Sequence, residues 1–304
     1  MHVLDVKWFL GDDGLYRHGI QAWIDEAERP VTRVLERGET ITWTLVGPRR
    51  CIGYRDGKGR LQKCPERSFV KRGQKRCGPC SAMDLYDECV FCDGSICRAS
   101  PERRDHCRNT NYSVYAVVFG DGTLKVGVSV RNRLLTRWLE QGADFGAVLA
   151  EIQDGKIARR IEHRLSQDKN AAKAVRFGRK VDALTTTMDL AEAERRVQAI
   201  HDNAVLSGII GVSGSEQRDL GVESLDPYYG LPKIESVPGI WPEGRVKLQG
   251  QQVLGEVIGM KGPLLVVETG RIVTAINLKK LVGYTLDEER EVNYFSQSSL
   301  LEHL

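Results

Sequence analysis

The chain has 304 residues, 41% of them hydrophobic and 28% charged, and carries a net charge of only +3. No apolar run reaches the ~18 residues a transmembrane helix needs. The N-terminus, MHVLDVKWFLGDDG, has early charge and no small-residue cleavage site, so neither membrane insertion nor a signal peptide is expected and a cytoplasmic location is. This length predicts several domains, and so small a net charge leaves nucleic-acid affinity to local patches.

Residues 1–50 contain β-branched and aromatic runs at 2–9, 18–24, 31–35 and 40–46, separated by turn clusters, and predict a small antiparallel β domain. Residues 51–110 are polar and hold every cysteine. In 111–211, apolar runs at 112–119 and 124–128 flank Gly-Asp-Gly-Thr, a hairpin signal. A helix is expected over 132–139, a third strand over 147–152, and a second helix over 157–165, with Ile157, Ile161 and Leu165 on one face. Further helical patterns cover 171–184 and 190–206, the latter with Asp189 as N-cap. Residues 212–243 are rich in Gly, Pro and Ser and read as a linker. Short runs at 246–248, 253–258, 264–267 and 272–276 predict a second small β domain, barrel-like, in 244–304, with a polar tail from Asp287. The class is α+β.

The cysteines follow the pattern C-x12-C-x12-C-x2-C and then C-x2-C-x4-C-x9-C. Cys77-Gly-Pro-Cys80 and Cys89-Val-Phe-Cys92 are two-residue knuckles that aim paired thiolates at one ion, and zinc takes four such ligands. Eight thiolates predict two structural zinc ions with no ligand position left open. Sequential pairing puts Cys51, Cys64, Cys77 and Cys80 on one ion and Cys89, Cys92, Cys97 and Cys107 on the other. A crossed arrangement, with both knuckles on one ion, is the alternative. A thioredoxin-like role for the Cys-Gly-Pro-Cys pair is disfavoured, because it follows a basic run among other cysteines.

The segment NYSVYAVVFGDGTLKVGVSVRNRLLTRWLEQGA resembles the GIY-YIG nuclease superfamily. Ser113-Val-Tyr115 stands at the first motif and Lys125-Val-Gly127 at the second, with Arg137 in the following helix and Glu162 in a later one. The resemblance covers roughly residues 111–168. With the cysteine-rich segment ahead of it, the whole order resembles a prokaryotic family of unassigned activity. It implies a three-stranded sheet with helices and a catalytic set of Tyr115, Lys125, Arg137 and Glu162. Tyr115 would contact the nucleophile with Lys125 beside it, Arg137 would stabilise the transferring phosphate, and Glu162 would hold Mg²⁺. Two positions depart from the family pattern: Ser113 replaces a glycine and Lys125 a tyrosine. Gly127 would allow a close backbone approach.

Between Arg49 and Arg76, eleven lysines and arginines stand against Asp56 and Glu66. Arg72, Lys75 and Arg76 are the candidate phosphate contacts in that run. Arg133 lies one helical turn before Arg137 and competes with it for that role. Lys173, Arg176 and Lys180 fall at helical spacing farther on. With only Tyr54 and Phe69 as aromatics in the basic run, backbone contact is expected rather than base stacking. Three functions are therefore weighed: a Mg²⁺-dependent nuclease on DNA or RNA, a non-catalytic nucleic-acid binding module on the same fold, and a zinc-stabilised protein adaptor.

Overall fold

Two main sheets organise the chain in the computed structural model, which describes residues 1–288 apart from 26, 72, 85, 87, 88, 90, 91, 212–219 and 245. The N-terminal runs become β1 (His2–Leu10), β2 (Tyr16–Trp23), β3 (Val31–Val34) and β4 (Thr40–Val46). The cysteine segment carries β5 (Tyr54–Arg55), β6 (Leu61–Gln62), α1 (Gly78–Met83) and α2 (Pro101–Arg108). Next come β7 (Asn111–Val118), β8 (Leu124–Val130), α3 (Leu134–Gln141), β9 (Phe145–Gln153) and α4 (Gly155–Leu165). They are followed by α5 (Phe177–Asp182), α6 (Leu190–Leu206), β10 (Glu223–Ser224), α7 (Asp226–Tyr229) and β11 (Gly239–Trp241). The chain then forms β12 (Gln252–Lys261), β13 (Leu264–Thr269), β14 (Ile272–Asn277), a 3-10 turn (Leu278–Lys280) and β15 (Thr285–Asp287).

The terminal runs do not make two separate β domains. They share one nine-stranded sheet in the order β11-β14-β13-β12-β4-β15-β1-β2-β3. β4 pairs with β12 (Thr42↔Leu254) and with β15 (Leu45↔Leu286), and His2 of β1 faces Thr285. Period-two alternation fixes which face of a strand is buried but says nothing of which strand lies beside it. The stretch expected as a linker supplies β10 to the smaller sheet and β11, parallel to β14, to the larger one. The run at 246–248 forms no strand, and the polar tail expected from Asp287 lies mostly outside the described residues.

The smaller sheet has the order β10-β9-β7-β8, so β7 is central. Its run is apolar at nearly every position because both faces are covered. Val114, Ala116 and Val118 pack against α4 and α6 with Ala158, Leu165, Ala193 and Val197. Tyr115, Val117 and Phe119 face the other way and join Trp138 and Leu139 of α3 in the core of the large sheet.

A buried polar seam locks the two sheets. Lys261 Nζ donates to Asp144 Oδ1 at 2.5 Å and to the Ala183 carbonyl at 2.9 Å, while the Gly120 amide donates to Asp144 Oδ2. Gly142 ends α3 in the left-handed region at φ 73° and lies against Gly262, where a Cβ would meet the Gly142 nitrogen at 2.6 Å. Neither position has room for a side chain.

Two helices differ from expectation. The pattern at 171–184 is helical only over Phe177–Asp182, because the chain before it is captured by the hairpin edge. Ala171 bridges Leu124, and the Ala172 amide donates to the Leu124 carbonyl. On α4, Leu165 is buried and Ile161 half-buried, but Ile157 is exposed and Ala158 takes the inward place. Steps of four residues drift by about 40° each around a helix of 3.6 residues per turn, which turns Ile157 outward. The Asp189 cap forms as expected, accepting from the Glu192 amide at 2.7 Å. No helix among the described residues is long and apolar enough to cross a membrane.

Candidate functional site

The cysteine segment gathers one set of metal ligands. The sulfurs of Cys51, Cys64, Cys77 and Cys80 all lie within 4.8 Å of one another. The Gly53 and Cys77 amides donate to Cys51 Sγ at 3.4 and 3.3 Å, contacts that favour a thiolate there. This is the sequential quartet, and it can hold one metal ion. Among the described residues Cys89, Cys92, Cys97 and Cys107 join no such group. Cys107 instead accepts from the Tyr112 hydroxyl at 3.7 Å.

The geometry assigns Arg76 to this loop rather than to an open surface. Its guanidinium pairs with Asp84 at 2.7 Å, the two side chains being 12% and 0% exposed, and Nε donates to the Gly53 carbonyl. Asp84 also accepts from the Arg55 and Tyr86 amides. A carboxylate buried this deeply needs a cation, so Arg76 is committed to Asp84. Arg72 lies outside the described residues. Lys173 and Arg176 are exposed; Arg176 caps the helix that carries Lys180, whose amide donates to the Arg176 carbonyl, while Lys173 lies outside that helix.

A second centre forms where β7, β8 and α3 meet. Tyr115 is fully buried, and its partner across the β7–β8 pair is Gly127. A Cβ at Gly127 would stand 2.4 Å from the phenolic oxygen, so the ring occupies the space a side chain would take. Gln141 Nε2 donates to that oxygen at 2.8 Å, and Trp138 meets the ring edge-on. Arg137, Glu140 and Gln141 lie three and four residues apart on α3, which brings them to one side of the helix. Glu140 accepts from Arg137 at 3.1 Å and from Arg133 at 2.9 Å.

The charges of this centre act on one another. Burial raises the Tyr115 pKa, with Arg137 opposing and Glu162 adding to the rise. Partial desolvation works against the charge on Arg137, but Tyr115 and Glu140 outweigh it and raise its pKa. Burial followed by repulsion from Arg137 lowers Lys125, with Glu162 opposing. Glu162 of α4 is three-quarters covered and pairs with Arg159 at 3.3 Å. The structure thus brings Tyr115, Lys125, Arg137 and Glu162 into one electrostatic neighbourhood.

Other groups stand in the same neighbourhood. Lys180 donates to the Gln141 carbonyl, and burial, then Lys279, Lys125 and Arg137, bring its pKa down to about 7. Lys279, in the 3-10 turn, is lowered by partial desolvation, then by Arg137 and Lys75. Sequence reasoning missed Gln141, Glu140 and Lys279. The first two lie within the Arg-Trp-Leu-Glu-Gln-Gly-Ala run and were legible from helical spacing. Lys279 is far along the chain and only strand pairing brings it close.

Fold and sites define a mixed, sheet-rich α/β protein with a four-cysteine cluster able to hold a metal ion. Over residues 38–286 the chain matches the family described as Protein of unknown function (DUF2797), and it belongs to that family. No curated protein and no solved structure matches it.

Proposed function

We propose that the chain is a metal-dependent phosphodiesterase acting on DNA or RNA, with zinc holding the cysteine segment. The observation that supports this reading is the electrostatic influence that Tyr115, Lys125, Arg137 and Glu162 have on one another, drawn from strand, strand, helix and helix in the order of the GIY-YIG superfamily.

Hydrolysis needs a deprotonated water, cations for the charge that builds on phosphorus, and a proton for the leaving oxygen. Arg137 offers a planar fork to the phosphate oxygens. Lys125, with its lowered pKa, adds a second donor beside it. Tyr115 keeps its proton at neutral pH and would orient the attacking water, whose proton passes to solvent as the leaving oxygen takes one from it. Glu162 fits a magnesium ion, because that ion takes one or two carboxylates and fills the rest of its shell with water and phosphate. Bound there, magnesium would supply charge neutralisation and a more acidic water.

Zinc suits the first cysteine quartet. Four sulfurs about 2.3 Å from a tetrahedral ion stand about 3.8 Å apart, and Cys64 and Cys77 are 3.9 Å apart. A second zinc on Cys89, Cys92, Cys97 and Cys107 completes the proposal.

The second reading is a nucleic-acid binding module without chemistry. It draws on the Tyr115 hydroxyl, which is closed off and held by Gln141, and on Ser113, whose hydroxyl donates to Glu151 at 2.8 Å where the family has glycine. A nicking assay on structured and single-stranded DNA and RNA, with and without Mg²⁺ or Mn²⁺, separates the two. Metal-dependent cleavage that is lost in Arg137→Ala supports the first reading. Binding without cleavage on every substrate leaves the second.

A further inference from the structure

Two lysines stand beside the centre that belong to none of its motif positions. Lys180 sends its ammonium to the carbonyl of Gln141, and the side-chain amide of the same Gln141 holds the Tyr115 hydroxyl. One buried residue at the end of α3 therefore fixes both groups. The Lys180 ammonium also lies 5.5 Å from the centre of the Phe119 ring. Lys279 comes from the large sheet, in the 3-10 turn after β14. Leu278 and Leu281 are fully buried and anchor the 3-10 turn, and Asn277 caps it by accepting from the Lys279 amide at 3.2 Å. Lys279 is left at the surface, where its charge acts against Arg137.

The charge count is unbalanced. Lys125, Arg137, Lys180 and Lys279, with Lys75 acting on the last, face Glu140, Glu162 and, at Lys279, Asp5, and Glu140 is already shared between Arg133 and Arg137. Among the described residues no carboxylate pairs with Lys180 or Lys279. Partly covered like charges that outnumber their counter-charges oppose folding, and an anion relieves them. A single phosphate on Arg137 and Lys125 leaves two further cations unneutralised, one on α5 and one on the turn after β14. Cations on separate elements suit a chain of phosphates better than one.

Building on the nuclease-type reading, we propose that Lys180 and Lys279 bind backbone phosphates of a polynucleotide adjacent to the one engaged by Arg137. The large sheet, through Lys279, is then part of the substrate-binding surface, and the strand is held across both sheets of the molecule.

The test is the salt dependence of binding, measured on the full-length protein by fluorescence anisotropy with labelled DNA and RNA oligonucleotides in the absence of Mg²⁺. Each phosphate contact contributes about 0.7 to 0.9 to the slope of log K against log salt. Lys180→Met, which keeps the half-buried stem, and Lys279→Ala should each reduce the slope by about that much and weaken binding several-fold. Arg271→Ala is the control, because Arg271 sits at the far end of β14, about 20 Å from Lys279 along six residues of strand. Lys180→Arg should retain the wild-type slope. Slopes unchanged in Lys180→Met and Lys279→Ala but reduced in Arg137→Ala and Lys125→Ala would overturn this proposal and leave the nuclease-type reading standing. Slopes unchanged in all four, or no binding at low salt, would remove both. Competition by a mononucleotide as strong, per phosphate, as that of the oligonucleotide would contradict a multi-phosphate site.

Discussion

Gly127 lies directly beneath the phenolic oxygen of Tyr115: a Cβ at position 127 would stand 2.4 Å from it. The close approach explains why a glycine follows Lys125-Val on β8, and it ties the packing of the strand pair to the placement of one hydroxyl.

Gly127→Ala should therefore push the Tyr115 ring off Gln141. Overpacking of this kind costs about 1–3 kcal/mol, read as a lower denaturation midpoint, together with a loss of any nicking activity. Tyr115→Phe keeps the ring and removes only the oxygen, so it should lose activity and cost about 1–3 kcal/mol, because the buried Gln141 amide loses its acceptor. A Gly127→Ala protein with unchanged stability would mean the ring has another place to go.

The cysteine segment should carry metal. Elemental analysis of protein prepared in reducing buffer should find about two zinc ions per chain, and Cys80→Ser and Cys92→Ser should each lose about one. If Cys80→Ser abolishes zinc altogether, the two quartets are not independent. Zinc-free wild-type protein with normal folding would end the proposal.

Lys180 gives the binding a pH dependence. Burial, and then the charges of Lys279, Lys125 and Arg137, bring its pKa to about 7, whereas a lysine in an unfolded chain keeps its proton to about 10.4. A bound phosphate favours the charged form, so oligonucleotide affinity should fall as pH rises through about 7, and Lys180→Arg should flatten that dependence. The sign for stability is the reverse. Between about 7 and 10 the unfolded chain holds a proton that the folded one has released, so Lys180 contributes stability that grows with pH across this range. Affinity that does not fall between pH 6 and 8.5 in the wild type contradicts this role.

The Asp144–Lys261 pair joins the two sheets, and both side chains are nearly buried. Asp144→Ala leaves an unpaired buried ammonium and should cost about 3–5 kcal/mol. Replacing both residues, as Asp144→Ala with Lys261→Met, should cost much less than the sum of the single changes. Additive costs in the double-mutant cycle would show that the pair is not coupled.

Much of the local structure was legible from residue type and spacing. The Gly-Asp-Gly-Thr turn, the Asp189 cap and the apolar run of β7 each follow from neighbouring residues, and the structure forms them where expected. The sequential cysteine quartet was legible because knuckle spacing limits which thiolates meet. Long-range pairing was not: nothing in Thr40–Val46 announces Gln252–Lys261 as its neighbour. For the same reason Lys279 gave no sign of its place beside Arg137. Arg76 read as a free cation because sequence cannot show that Asp84 is buried, and Lys173 read as helical from its spacing, which cannot show that the β8 edge captures the residues before α5.

The central claim rests on Glu162, whose charge acts on both Tyr115 and Lys125. The direct measurement is Mg²⁺-dependent nicking by wild type and by Glu162→Ala, with oligonucleotide affinity measured alongside. Cleavage should disappear in the variant while affinity stays within a few-fold, since the residue brings no positive charge to the substrate. Cleavage that persists in Glu162→Ala would contradict the assignment of the site.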